Sequence, residues 1–157
     1  MSSLANEWIE RLGQELGLGH LEFAARGIVE VRFEGDIAVT IERSPAGDVL
    51  LLHMALGRVG ADALAQGALF EELLRMNHAG NNPLGMILAI DESDGELVLS
   101  HGVAALEPAQ YEDLVAGVQQ LIVRAQAVQA LLDQTPVGNE APPPASSEVL
   151  FHPNMLA

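Results

Sequence analysis

The side chains able to do acid–base, metal or nucleophilic chemistry are scattered along this chain. Its five histidines are His20, His53, His78, His101 and His152, and none stands at a metal-ligand spacing such as HxxxH. Each is expected to be an isolated polar or half-buried side chain. His53, inside an apolar run, is the one expected to be buried and hydrogen-bonded. With no cysteine in the sequence, a disulfide framework, a thiolate metal site and a cysteine nucleophile are all excluded. No nucleophile elbow (GxSxG) is present. Ser100 and His101 are neighbours on a predicted strand, so their side chains point to opposite faces and make a poor nucleophile–base pair. Gly57-Arg58-Val59-Gly60 lacks the lysine and Ser/Thr of a P-loop, and no GxGxxG follows a strand. The cluster Asp91-Glu92-Ser93-Asp94-Gly95 attracts calcium only weakly, because it has neither the spacing nor the closing glutamate of an EF-hand. A solvated turn is the expectation there. No catalytic residue, cofactor or metal is assigned, and no enzyme is expected.

What must position these residues is a small acidic domain. The chain has 157 residues, 22 acidic against 7 basic, and a formal net charge of −15; all the basic residues are arginine. That charge repels phosphate backbones and anionic lipid, which excludes nucleic acid as a partner. Hydrophobic residues make up 49% and aromatic ones 4%, so Leu, Val, Ile and Ala must fill the core. The N-terminal stretch reads Glu7, Glu10, Arg11, Glu15 where an export signal needs an unbroken apolar run. No stretch approaches the roughly 18 apolar residues of a membrane span. A cytoplasmic protein without membrane insertion is expected.

Leu4, Trp8, Ile9, Leu12 and Leu16 recur at helical spacing, and Gly17 and Gly19 mark the end of that helix. From Gly27 the period becomes two. Val29, Val31 and Phe33 form one strand, Gly35-Asp36 a turn, and Ile37, Val39 and Ile41 a second strand. Ser44 to Asp48 breaks it, and Val49 to Leu56, apolar on both faces, predicts an inner strand covered on both sides. A helix from about Ala61 to Asn77 carries an apolar arc wider than one core-facing stripe. Leu84 to Ile90 and Leu97 to His101 read as strands of a hairpin turning through Asp91 to Gly95. Glu107-Pro108 opens a long helix with Tyr111, Leu114, Val118, Leu121, Ile122, Ala125, Val128 and Leu132 in line. The expected fold class is α+β, one domain of order αβββαββα with a mostly antiparallel five-stranded sheet flanked by helices. The domain is expected over 1–133, and 134–157, with five of the eight prolines, is expected to be a disordered tail.

A domain this small cannot bury every apolar position, since it hides only about two-thirds of its unfolded surface. The excess suggests protein–protein contact. The sequence resembles the class I chaperones of bacterial type III secretion, the Tir-chaperone (CesT-like) family. The likeness is carried by the first helix with Leu12 and Leu16-Gly17-Leu18, and by Leu69-Phe70-Glu71-Glu72-Leu73-Leu74-Arg75-Met76-Asn77. It continues through Pro83-Leu84-Gly85-Met86, Asp94-Gly95-Glu96-Leu97-Val98-Leu99-Ser100, Leu106 and the long helix. The resemblance implies a cytoplasmic homodimer that holds the N-terminal segment of a secreted effector extended and secretion-competent, with the secretion ATPase as a further partner. It puts Trp8, Leu12, Val29, Val31, Phe33, Ile37, Val39 and Ile41 forward for the effector groove. For the dimer interface it puts forward Leu69, Phe70, Leu73, Met76, Met86 and Leu88.

Two other classes stay open at this level. One is a small α+β enzyme or ligand-binding domain using His53 and His101 as acid–base groups. The other is a structural subunit of an acidic assembly.

Overall fold

The structure, a computed structural model, describes residues 3–134 except 35–36, 46–48, 59–62, 79–81, 83–84 and 94, and omits the side chains of 63–66. The Gly35-Asp36 turn, Pro83, Leu84, Asp94 and the tail from 135 onward lie outside the described residues.

Helix α1 spans Leu4–Glu15. Ser3 starts it, its hydroxyl accepting from the Asn6 N–H at 3.4 Å, and this satisfies one of the donors a helix start leaves free. Gly17, at φ 71°, turns the chain out of the helix, and the Leu18 N–H closes back on the Gly13 carbonyl at 2.9 Å. The apolar stripe of α1 buries Ala5, Trp8, Ile9 and Leu12. Strands β1 (Ile28–Phe33), β2 (Ile37–Arg43) and β3 (Val49–Arg58) follow. Helix α2 (Ala63–Asn77), β4 (Ile87–Ile90), β5 (Glu96–Ala104) and α3 (Tyr111–Gln134) complete the domain. The sheet runs β1-β2-β3-β5-β4 with every neighbouring pair antiparallel, so β1 and β4 are its edges.

Period-two alternation decides which side chains meet the helices. Val29, Val31, Val39, Ile41, Leu50, Leu52, Met54, Leu97, Leu99 and Val103 are buried on one side of the sheet, together with the inward residues of α1 and α3. Each such side chain contributes about 1.5–3 kcal/mol by leaving water. Helix α3 lies against β3 and β5. It sits close because Gly117 has no side chain; a Cβ there would lie 3.1 Å from Leu52 Cδ1 and 3.2 Å from Val103 Cγ2. The start of α3 is locked to the end of α1. The Tyr111 hydroxyl donates to Glu15 Oε2 at 2.7 Å, the Arg11 guanidinium lies 3.8 Å over the Tyr111 ring, and Trp8 meets that ring edge-on at 5.9 Å. The hydrogen bond from Tyr111, then that from Arg11, holds the Glu15 carboxyl below its usual range.

The order of elements and the antiparallel sheet agree with the sequence expectation, and three details differ. β3 is the central strand but is buried on one side only; Val49, Leu51 and His53 are half-buried and Ala55 is exposed. An apolar run bounded by turns reports burial without saying on how many faces. β5 continues past His101 to Ala104, because β3 supplies partners as far as Val49. Pro108 opens a 3-10 turn, Pro108–Gln110, ahead of the α-helix. There the Gln110 side chain accepts from the N–H groups of Leu106 and Glu107, each at 3.0 Å.

Candidate protein-binding surfaces

The two edges of the sheet are unlike. At β4, Asn77 from the end of α2 presents its side-chain amide to the backbone of Leu88. Its Nδ2 donates to the Leu88 carbonyl at 3.0 Å, and its Oδ1 accepts from the Leu88 N–H at 2.9 Å. Asn82 does the same one outward position earlier, accepting from the Met86 N–H at 2.9 Å and donating to the Met86 carbonyl. Each asparagine imitates the backbone of a neighbouring strand. The outward-facing backbone groups of Met86 and Leu88 are thereby satisfied, which blocks a further strand along that part of the edge.

At β1 no asparagine among the described residues plays this part, and the cover reaches only Ile28. The Arg43 N–H donates inward to the Gly27 carbonyl at 2.8 Å, while the Ile28 carbonyl points outward and accepts from the Ala24 N–H at 2.9 Å. Antiparallel ladders alternate inward and outward residues. Glu30 and Arg32, in register with Thr40 and Ala38, therefore turn their N–H and C=O groups away from β2. Among the described residues no backbone or side-chain group bonds to them. Their own side chains pair, Arg32 Nε to Glu30 Oε1 at 2.7 Å.

A second surface is apolar. Phe70, Leu73, Leu74 and Asn77 of α2 face Leu88, Ala89, Ile90 and Leu97 across a shallow groove of ≈ 420 Å³. In it Leu74 is 69% exposed and Ile90 45%, while Ile87, 57% exposed, points from β4 to the opposite face of the sheet. Leu74 and Ile90 are the exposed apolar side chains that a partner seated in this groove would cover.

The residues put forward from sequence distribute unevenly over these surfaces. Trp8, Leu12, Val29, Val31, Val39 and Ile41 are buried in the core of the single chain, beneath α1 and α3. Phe33 and Ile37, paired across the first hairpin, stay half-buried at the margin of the sheet. Leu69, Leu73, Met86 and Leu88 are likewise buried within the chain, whereas Phe70 is half-buried in the groove and Met76 is half-buried on the side of α2 toward Val123 and Arg124 of α3. Sequence reasoning set Leu74 in the wide apolar arc of α2 but left it, Ile87 and Ile90 off the interface residues, and it missed the bonds of Asn77 and Asn82. The uninterrupted run Met86-Ile87-Leu88-Ala89-Ile90 carried the signal, since a strand with no polar position has an apolar outer face. For Asn77 no local pattern announces a bond to a residue 11 positions away, nor for Asn82 a bond to the backbone four positions on.

The groups considered for chemistry do not assemble. His53 and Ser100 are cross-strand partners, and Glu42 Oε2 lies 3.9 Å from His53 Nε2. The Ser100 hydroxyl donates to the Ile87 carbonyl at 3.4 Å rather than to the imidazole. His101 faces the other way, toward Gly117 of α3. Burial lowers the pKa of both histidines, against a smaller opposing effect of Glu42 at His53, so both are neutral near pH 7. The Asp91 carboxylate accepts from the Ser93 N–H at 2.8 Å and from its hydroxyl at 2.7 Å, as a turn requires. Among the described residues no three acidic or histidine side chains gather as a metal site, and no helix is long and apolar enough to cross a membrane.

Comparison with known proteins bears on what these surfaces serve. The family model of the Tir chaperone protein (CesT) family matches residues 7–134. Comparison with curated protein sequences gives no match. Among solved structures, the chain is similar to one in the crystal structure of the ExsC-ExsE complex, at 25% identity and a TM-score of 0.66, over 84% of this chain and 96% of that one. It is similar in fold to a chain of the HopA1-SchA chaperone-effector complex, at 16% identity and a TM-score of 0.64, over 81% and 94% of the two chains. It is also similar in fold to a chain of the Yersinia pestis type III secretion chaperone SycH in complex with a stable fragment of YscM2. There the identity is 18% and the TM-score 0.59, over 78% of this chain and 98% of that one. With a family match over most of its length and the element order described above, the chain belongs to the Tir chaperone protein (CesT) family, the type III secretion chaperones that its residues resemble.

Proposed function

We propose that this chain is a cytoplasmic, non-enzymatic type III secretion chaperone. It acts as a homodimer that keeps the N-terminal segment of a secreted effector extended by adding it as a strand to β1. The observation that carries this reading is the contrast between the sheet's edges in a chain of this family: at β4 Asn82 and Asn77 occupy the outward backbone groups of Met86 and Leu88, and at β1 no described residue bonds to those of Glu30 and Arg32. Strand addition supplies main-chain hydrogen bonds, and alternate side chains supply specificity.

Magnitudes say what else is needed. Fixing each client residue costs about 1–2 kcal/mol, whereas each new backbone hydrogen bond returns about 0.5–1.5. The balance must come from apolar area at about 25 cal/mol per Å². Phe33 and Ile37, half-buried at the sheet margin, supply the nearest part. The groove at α2 and β4, with Leu74 and Ile90, is the dimer face. Since the β4 edge is closed, the two copies pack through side chains rather than through a continuous sheet.

The test is affinity capture of the tagged full-length protein from its native cytosol, followed by limited proteolysis and mass spectrometry. One dominant secreted protein, retained through a segment near its N-terminus after its other domains are trimmed away, is expected. Retention only through a folded domain, or recovery of a small ligand alone, would overturn the reading.

A further inference from the structure

We infer that the Glu30–Arg32 pair on β1 selects both the charge and the direction of the strand it receives, and this inference rests on the β1 reading above. Both side chains lie on the sheet face away from α1 and α3, two residues apart, joined by a 2.7 Å hydrogen bond. Both belong to residues whose backbone groups face outward, so an added strand places a residue directly opposite each of them. At that separation opposite charges stabilise the pairing and like charges oppose it.

The order of the two charges then reads polarity. Every neighbouring pair in this sheet is antiparallel, and antiparallel pairing is the more stable kind per residue. An incoming antiparallel strand passes Arg32 first and Glu30 two residues later. It therefore fits when it carries an acidic residue followed, two positions on, by a basic one. The residue between them falls opposite Val31 on the helix-covered side, beside half-buried Phe33, and is apolar. The client segment is thus an alternating apolar strand with an acid-x-base signature. A strand with the charges exchanged meets two like-charge contacts in this register.

Two labelled synthetic peptides test this by fluorescence anisotropy at low salt: Thr-Val-Glu-Val-Arg-Val-Thr and its exchanged twin Thr-Val-Arg-Val-Glu-Val-Thr, each flanked by Gly-Ser. The acid-first peptide is expected to bind the full-length protein about 3- to 30-fold more tightly, with the preference shrinking as salt rises. The double variant Glu30→Arg/Arg32→Glu keeps the intrastrand pair and is expected to invert the preference. Arg32→Pro removes an outward N–H that no ladder bond uses, so it is expected to fold and to lose both peptides. Equal binding of the two peptides that Arg32→Pro abolishes would overturn the charge selection and leave the β1 edge as the client site. Binding of neither peptide, or binding unmoved by Arg32→Pro in a protein with parental circular dichroism, would overturn the edge site and the selection together.

Discussion

Replacing Asn77 with alanine tests the closed edge of β4 most sharply. Its amide makes two hydrogen bonds, at 2.9 and 3.0 Å, to the N–H and C=O of Leu88, a residue almost wholly buried against α2. A bond to neutral groups is worth about 0.5–1.5 kcal/mol net, and a buried partner left orphaned costs about 1–3. Water reaches this part-buried site to some degree, so Asn77→Ala is expected to cost about 2–3 kcal/mol in urea unfolding. The isosteric Asn77→Asp separates hydrogen bonding from packing. Its carboxylate still accepts from the Leu88 N–H but opposes the Leu88 carbonyl, so folding raises its pKa. The neutral acid can donate to that carbonyl, so the variant should regain stability relative to the parent as pH falls through the raised folded pKa toward the ordinary carboxyl value near 4. The alanine variant should show no such recovery. It should also gain concentration-dependent association in sedimentation, because the freed edge can pair with another copy. Asn77→Ala within about 0.5 kcal/mol of the parent, with unchanged association, would refute the reasoning that this side chain replaces a strand.

Other expectations follow from single positions. Leu74→Glu combined with Ile90→Glu alters two exposed side chains of the proposed dimer face; light scattering should show the dimer falling to monomer while circular dichroism is unchanged. Val31 is 2% exposed in the core, so Val31→Asp should cost at least about 3 kcal/mol and unfold much of the protein rather than yield a folded dimer that has lost only its client. At Gly13 an added Cβ would lie 2.6 Å from the Gly19 carbonyl oxygen and 2.8 Å from Leu21 Cγ. Gly13→Ala should therefore lower the urea midpoint although alanine favours helix by about 1 kcal/mol. His53 and His101 have folded pKa values lowered by burial. Their contribution to stability is complete above the unfolded value near 6.5 and is lost as pH falls below it, so His53→Gln/His101→Gln should flatten the urea midpoint between pH 7 and about 5.

The elements were legible because their signals are local. Alternation in Val29-Glu30-Val31-Arg32-Phe33 and the three-to-four spacing of Trp8, Leu12 and their neighbours each fix an element and its apolar face. What that face touches is not local. Trp8, Val31 and Ile41 carry the same apolar signal whether they line an open groove or a sealed core, and only the placement of α1 and α3 decides between them. The central position of β3 depends on β5, nearly fifty residues away in register between Leu52 and His101. The asymmetry of the edges was the least visible feature. It rests on two asparagine side chains whose partners are backbone atoms, and on outward backbone groups that leave no trace in residue type. Glu30 and Arg32 read in sequence as ordinary solvent-facing charges; their position on the open edge gives them a partner to choose.

Hydrogen–deuterium exchange of the chaperone with and without its captured client, resolved at β1 and β4, tests the central claim most directly. The account predicts that the amides of Glu30 and Arg32 exchange rapidly in the free protein and become protected on client binding, while Leu88, already bonded to Asn77, changes little. Protection that appears at Leu88 and leaves Glu30 and Arg32 unchanged would contradict it.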